Sequence, residues 1–136
     1  MREAGIFAAT VARPRVRSLV VLVVDDDSVV RRVERDVLEQ AGYTVVEAAS
    51  ADEALAVARA GRRTVDVLVT DVMLPGLQGP ELAGRLLALW PALGLVFTSG
   101  YDQGASPSGR FPGSVFLQKP FAVDALAVAV DAVASR

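Results

Sequence analysis

Between Val65 and Gly76 the chain reads Val-Asp-Val-Leu-Val-Thr-Asp-Val-Met-Leu-Pro-Gly, and this stretch constrains the fold more than any other. Its β-branched run favours a strand. Polar residues are scarce in it, as in a central parallel strand covered on both faces. The run stops at Asp71, and Pro75-Gly76 turns the backbone just beyond. Asp71 is therefore expected at the carboxyl end of a buried strand, in the mouth of a crevice.

The rest of the chain repeats that grammar. Leu19 to Val24 is a continuous apolar run that ends in Asp25-Asp26-Asp27-Ser28. A helix is expected from Ser28 to Ala41, with Val30, Val33, Val37 and Leu38 on its inner face, Arg31, Arg32, Glu34, Arg35 and Glu39 elsewhere, and Gly42 as its stop. Tyr43 to Glu47 reads as a short strand. Ser50 and Glu53 form a capping box for a helix through Ala60, stopped by Gly61. After the Val65 run, Pro80 suits a first helical turn. Leu82, Leu86 and Leu89 make that helix's inner stripe, and Pro91 closes it. Leu93 to Thr98 and Val115 to Gln118 are the fourth and fifth strands. A last helix runs from Val123 to Val133, with Val123, Leu126, Val130 and Val133 at helical spacing.

Strands alternating with helices imply an α/β fold whose parallel sheet is covered on both faces. Right-handed crossovers restrict the topology. The expected architecture is a flavodoxin-like, doubly wound five-stranded sheet of order 2-1-3-4-5, with a ligand crevice beside the ends of the first and third strands. One helix breaks the pattern. Between Ser99 and Val115, Gly104, Gly109, Gly113, Pro107 and Pro112 oppose a long helix. The fourth helix is therefore expected to be missing or about one turn long, in a mobile segment.

The strand ends carry a consistent chemistry: Asp25 and Asp26, then Asp71, Ser99 and Lys119. Each has an ordinary use alone. Asp25 to Ser28 can cap a helix, Asp71 and Ser99 can serve turns, and Lys119 can be a solvated charge. Together they point to phosphoryl chemistry. Clustered carboxylates repel each other, and a hard divalent cation such as Mg²⁺ relieves the conflict. That cation also bridges an incoming phosphoryl group. Asp71 is then the nucleophile, forming an acyl phosphate, while Lys119 and Ser99 receive phosphoryl oxygens.

Composition removes other classes. Apolar residues make up 52% of the 136, enough for a core in one domain. The 14 Lys+Arg against 16 Asp+Glu leave a net charge of -2, so no nucleic-acid footprint exists. No window holds the roughly 20 apolar residues of a membrane span. With no Cys and no His, thiolate and imidazole metal sites are impossible, and the chain cannot phosphorylate itself on histidine. Residues 1–18, with Arg2, Arg13, Arg15, Arg17 and Pro14, read as a flexible arm or linker.

Over Leu19 to Val133 the chain resembles the receiver domain of two-component response regulators. The resemblance rests on Val23-Val24-Asp25-Asp26-Asp27, Val69-Thr70-Asp71-Val72-Met73-Leu74-Pro75-Gly76, Phe97-Thr98-Ser99-Gly100-Tyr101 and Leu117-Gln118-Lys119-Pro120-Phe121. It implies a receiver domain over 19–136 with Asp71 as phosphoacceptor. Asp25 and Asp26 would be the Mg²⁺-holding acid pair, helped by the Met73 carbonyl. Ser99 would be the switch hydroxyl, chosen over Thr98 because the small Gly100 follows it. Lys119 would be the phosphate-pairing lysine, joined to Pro120 by a cis bond, and Phe116 the switch aromatic. The implied donor is a phosphohistidine on a sensor kinase or phosphotransfer protein. The implied role is a signalling switch in the cytoplasm rather than an enzyme, with slow self-dephosphorylation because Met73 and Tyr101 flank the water's approach. No output domain follows Arg136, so a stand-alone receiver or one excised from a hybrid sensor kinase is expected.

Phe116 lacks the hydroxyl of a tyrosine, so its coupling to Ser99 is expected to be packing alone. Ala125, Val128, Ala129 and Ala132 widen the last helix's apolar surface. That excess suits a partner or homodimer contact, or a small-residue helix lying close to the sheet. Three other functions were weighed against the switch. An interaction module that no longer takes phosphate sits poorly with the intact acids and lysine. A flavodoxin-like cofactor binder would need a phosphate-cradling loop where this chain has acids. A hydrolase would need a substrate pocket.

Overall fold

The apolar runs become strands. The computed structural model describes residues 19–100 and 106–134. Strands β1 (Val20–Val24), β2 (Thr44–Ala48), β3 (Val67–Asp71), β4 (Gly94–Ser99) and β5 (Val115–Gln118) alternate with helices α1 (Ser28–Gln40), α2 (Ala51–Ala60), α3 (Gly79–Leu89) and α4 (Val123–Ala134). The strands pair in parallel in the order β2-β1-β3-β4-β5, as expected. β1 and β3 are buried along their whole length, which explains why neither alternates polar with apolar.

Successive side chains of a strand leave on opposite faces, so the sheet carries two cores. On one face Leu22, Val24, Leu68, Leu95 and Phe97 pack with Leu55 of α2 and Leu82 and Leu86 of α3. On the other, Val21, Val23, Val67, Val69 and Val96 pack with Leu38 of α1 and Leu126 and Val130 of α4. Each such side chain contributes about 1.5–3 kcal/mol when fully buried.

The helix ends follow their signals. Asp27 is the N-cap of α1, and its carboxylate accepts the Val29 and Val30 N–H groups. Ser50 Oγ accepts the Glu53 N–H, while the Glu53 carboxylate reaches back to Ala49 N–H rather than to Ser50. Gly61 ends α2 at φ +66°, a left-handed conformation glycine adopts without strain.

Two helix faces differ from expectation. On α1, Val33 points outward at 48% exposure, while Glu34 is buried at 3%. The stripe through Val30, Val37 and Leu38 passes through position 34, because residues four apart share a helix face. The apolar label of Val33 and the charge of Glu34 misassigned both. On α3, Leu82 and Leu86 are buried but Leu89, the last residue of the helix, is exposed.

Between Ser106 and Ser114 the helical content is one 3₁₀ turn, Pro107–Gly109, as the Gly and Pro content requires. The mobility expected of residues 101–105, and the arm expected over 1–18, lie outside the described residues. Within this described part of the connection, Phe111 covers the sheet. Its ring packs on Phe97 with centroids 5.5 Å apart, and the Arg110 guanidinium lies 5.4 Å from its centroid. On α4, Ala129 joins the buried stripe and Val128 stays outside. A Cβ at Gly94 would stand 2.8 Å from Val133 Cγ2, so α4 lies close to β4.

Gly79 fixes the far end of β3. Its N–H donates to Val72 O at 2.9 Å, and a Cβ there would stand 2.2 Å from the Asp71 carbonyl oxygen. Gly84, midway along α3, has nothing within 4 Å of its missing Cβ. Gly79→Ala is expected to lose at least about 1–3 kcal/mol in urea denaturation through backbone overpacking. Gly84→Ala is expected to gain about 0.5–1 kcal/mol from helix propensity. Equal effects of the two substitutions would contradict the close approach at Gly79.

Candidate functional site

The carboxyl edge of the sheet gathers the charged strand ends. Asp25 follows β1 directly. Its N–H donates to Ala48 O at 3.2 Å, and its Oδ1 accepts the Asp27 N–H at 2.9 Å. The Arg31 guanidinium donates to the Asp25 carbonyl oxygen at 2.7 Å and to Glu47 at 2.9 Å. Arg35 adds a 2.7 Å bond to Glu47. Through that carboxylate, α1 is clasped to β2 beside the acids. Arg35 and then Arg31 hold the Glu47 carboxyl below its ordinary range.

Asp71 ends β3. Its Oδ1 accepts the Met73 N–H at 3.1 Å, and Val72 N–H donates to Thr98 O at 2.8 Å. Carboxylate oxygens, one each from Asp25, Asp26 and Asp71, lie within 4.8 Å of one another. Asp25 and Asp71 are buried, while Asp26 faces solvent. Lys119 follows β5 and reaches both buried acids: Nζ donates to Asp25 Oδ2 at 2.8 Å and to Asp71 Oδ2 at 3.2 Å. Its backbone N–H donates to Ser99 O at 2.7 Å, and the Lys119-Pro120 bond is cis. Ser99 ends β4, is buried, and donates from Oγ to Gly100 O at 3.0 Å. Phe116 on β5 pairs in register with Phe97 and packs against the core on that face.

Burial pushes the Asp71 carboxyl above its ordinary range. The Met73 N–H and the Lys119 ammonium oppose that rise, and Asp25 adds to it. Burial alone would push the Lys119 ammonium down, but its bonds and charge pairing with Asp25 and Asp71 outweigh it, and the pKa ends above its usual value. A cluster of oxygen donors with this charge suits a hard divalent cation that prefers a few carboxylates plus water. The residues present therefore fit Mg²⁺.

Sequence reasoning left Glu34 out of this site, although it lies beside it. Burial pushes its carboxyl up to about 7, Asp25 adds to the rise, Lys119 opposes it and Asp71 adds a little more. The signal was available in the spacing Val30-Glu34-Leu38.

Comparison with known proteins agrees with this geometry. Residues 21–131 match the response regulator receiver domain. The chain belongs to that family, whose members are signalling domains of two-component systems. It is 38% identical over 116 residues to the sensor kinase CckA of Brucella abortus (strain 2308), covering 83% of this chain and 12% of that protein. It is 35% identical over 111 residues to the C4-dicarboxylate transport transcriptional regulatory protein DctD of Rhizobium meliloti (strain 1021), covering 78% of this chain and 23% of that one. The crystal structure of the receiver domain from hybrid histidine kinase CckA superposes with a TM-score of 0.71 at 32% identity, covering 85% of this chain and 98% of that one. The chain thus spans a small fraction of the curated relatives' length. Among the described residues, no helix is long and apolar enough to cross a membrane.

The position of Glu34 sets a pH dependence. A carboxyl whose folded pKa is raised contributes stability that is complete below its unfolded value of 4.5 and is lost as pH rises through about 7. Ionising it in the fold costs about 3 kcal/mol at roughly 1.4 kcal/mol per pKa unit. Urea denaturation from pH 5 to pH 8 is expected to show wild type losing stability, with Glu34→Gln losing about 2–4 kcal/mol less over the same range. Parallel profiles for the two proteins would contradict this assignment.

Proposed function

We propose that this receiver takes a phosphoryl group from a phosphohistidine donor onto Asp71, in a reaction that depends on Mg²⁺. The observation that carries the proposal is the meeting of one carboxylate oxygen each from Asp25, Asp26 and Asp71 within 4.8 Å, with Lys119 bonded to two of these residues. The chain has no histidine, which fits a donor supplied in trans. Asp25, Asp26, Asp71 and the Met73 carbonyl would hold the ion. When bound, Mg²⁺ offsets the charge on the phosphoryl oxygens.

An Asp71 carboxylate oxygen attacks phosphorus. The bond from phosphorus to the donor's imidazole nitrogen breaks, and its electron pair stays on that nitrogen. Lys119 exchanges its carboxylate contact for a phosphoryl oxygen. Its stem is flexible and its ammonium acts as a point charge. Ser99 donates its hydroxyl to another phosphoryl oxygen. It suits this role over Thr98 because it is the last residue of β4, its carbonyl already ties Lys119, and Gly100 leaves room beyond it. Phe116 then follows Ser99 by packing alone. The bulky Met73 side chain beside Asp71 would hinder water in line with phosphorus, so the acyl phosphate decays slowly; Tyr101, expected to help, lies outside the described residues.

The test is intact-mass spectrometry after incubation with Mg²⁺ and acetyl phosphate. Wild type is expected to gain the mass of one phosphoryl group, while Asp71→Asn and a chelator-treated sample gain none. Failure of wild type to label would instead support an interaction module without phosphorylation. Modification of Asp71→Asn would reject the assignment of the acceptor.

Docking of the donor has its own signature. Val29 and Val33 are 71% and 48% exposed on α1, beside the acids, and with Pro120 and Phe121 they border an apolar groove. An exposed apolar strip rimmed by charge suits a protein partner. Val33→Asp is expected to slow phosphoryl transfer from a phosphorylated histidine phosphotransfer protein by tenfold or more, about 1.4 kcal/mol or above. Acetyl phosphate labelling should stay within about twofold of wild type, a change of under about 0.5 kcal/mol. Equal loss in both assays would show that the valine acts on the site rather than on the donor.

A further inference from the structure

Glu34 Oε2 is buried and has no hydrogen-bond partner among the described residues. A buried acceptor without a donor is costly, and such groups in native proteins call for a reason. Lys119 has a donor to offer it. An ammonium carries three hydrogens, and Nζ makes two hydrogen bonds, to Asp25 and Asp71. Glu34 and Lys119 border the same cavity of 280 Å³ between α1 and the segment after β5. Its other walls are Val29, Val30, Val33, Pro120 and Phe121, none of which brings a charged or polar side chain.

We propose that Glu34 is a positioning residue for Lys119: the carboxylate that takes the ammonium when a divalent cation occupies Asp25, Asp26 and Asp71. The inference rests on the reading of those three acids as a metal site. A bound cation claims the oxygens that Lys119 now uses and repels its positive charge. Without a second acceptor, the ammonium must either compete with the ion or leave for solvent. Glu34 supplies that acceptor at the apolar groove, so Lys119 stays near Asp71, ready for a phosphoryl oxygen. The electrostatics are consistent, because Lys119 acts on the Glu34 carboxyl to favour its charged form.

The inference is tested by Mg²⁺ titration calorimetry at pH 8 on four proteins: wild type, Glu34→Gln, Lys119→Met and the double variant. Glu34→Gln keeps the side chain's shape, and thermal melts confirm that each protein is folded. In the wild-type background, Glu34→Gln is expected to weaken Mg²⁺ binding about threefold to tenfold, within the range of couplings between neighbouring residues. In the Lys119→Met background it is expected to change binding by less than about twofold, because the ammonium it serves is gone. Equal weakening in both backgrounds would make Glu34 a distant negative charge and overturn the proposal, as would no weakening in either. If wild type binds no Mg²⁺ at all, the metal-site reading itself falls and this inference with it. That result is distinct from a null cycle in a protein that binds the ion.

Discussion

Two buried carboxylates, Asp25 and Asp71, share one ammonium. Like charges in a poorly solvated crevice would force one acid to take a proton, and Lys119 is what reduces that pressure. The rest of the edge is arranged around this contact. β1 and β3 are neighbours in the sheet, so their ends bring the acids together. β5 stands two strands away from β3, and only a long, flexible side chain spans the gap. Ser99 on the intervening β4 fixes the backbone of the lysine that reaches across it.

The backbone around the acids is secured from several directions. Arg31 holds the Asp25 carbonyl, the Met73 N–H orients the Asp71 carboxylate, and Gly79 lets α3 begin against the Asp71 peptide. The Arg31 and Gly79 supports act on backbone atoms of Asp25 and Asp71 and leave their carboxylates unused. The side chains can therefore change partners while the strand ends stay in place.

Much of this was legible in the residues. Uninterrupted apolar runs announced buried parallel strands, and each run ended in the residue that reached the site. The caps at Asp27, Ser50 and Gly61 were readable because their chemistry is local. What escaped reading depends on rotation or on close approach. Val33 and Glu34 exchange their expected faces because the stripe through Val30 and Leu38 passes through position 34, and residue type alone favoured its neighbour. Leu89 looked like core, but it is the last residue of its helix and is exposed. Gly79 resembled any glycine before a proline, and only the coordinates reveal the carbonyl pressed against it. The joint pattern of Asp25, Asp26, Asp71, Ser99 and Lys119 was legible because four strand ends agreed. Arg31 and Glu34 were not, because neither sits at a strand end.

The packing of Phe111 has a mechanical consequence. Among the described residues 106–114, whose helical content is one 3₁₀ turn, a ring against Phe97 does part of the sealing beside β4 and β5. Detaching a ring ruptures few contacts, whereas peeling away a helix ruptures a row of them. The sheet is therefore fastened unevenly, tight around β1 and β3 and light at its β5 border. Partial opening should begin at that border, leaving the central strands folded.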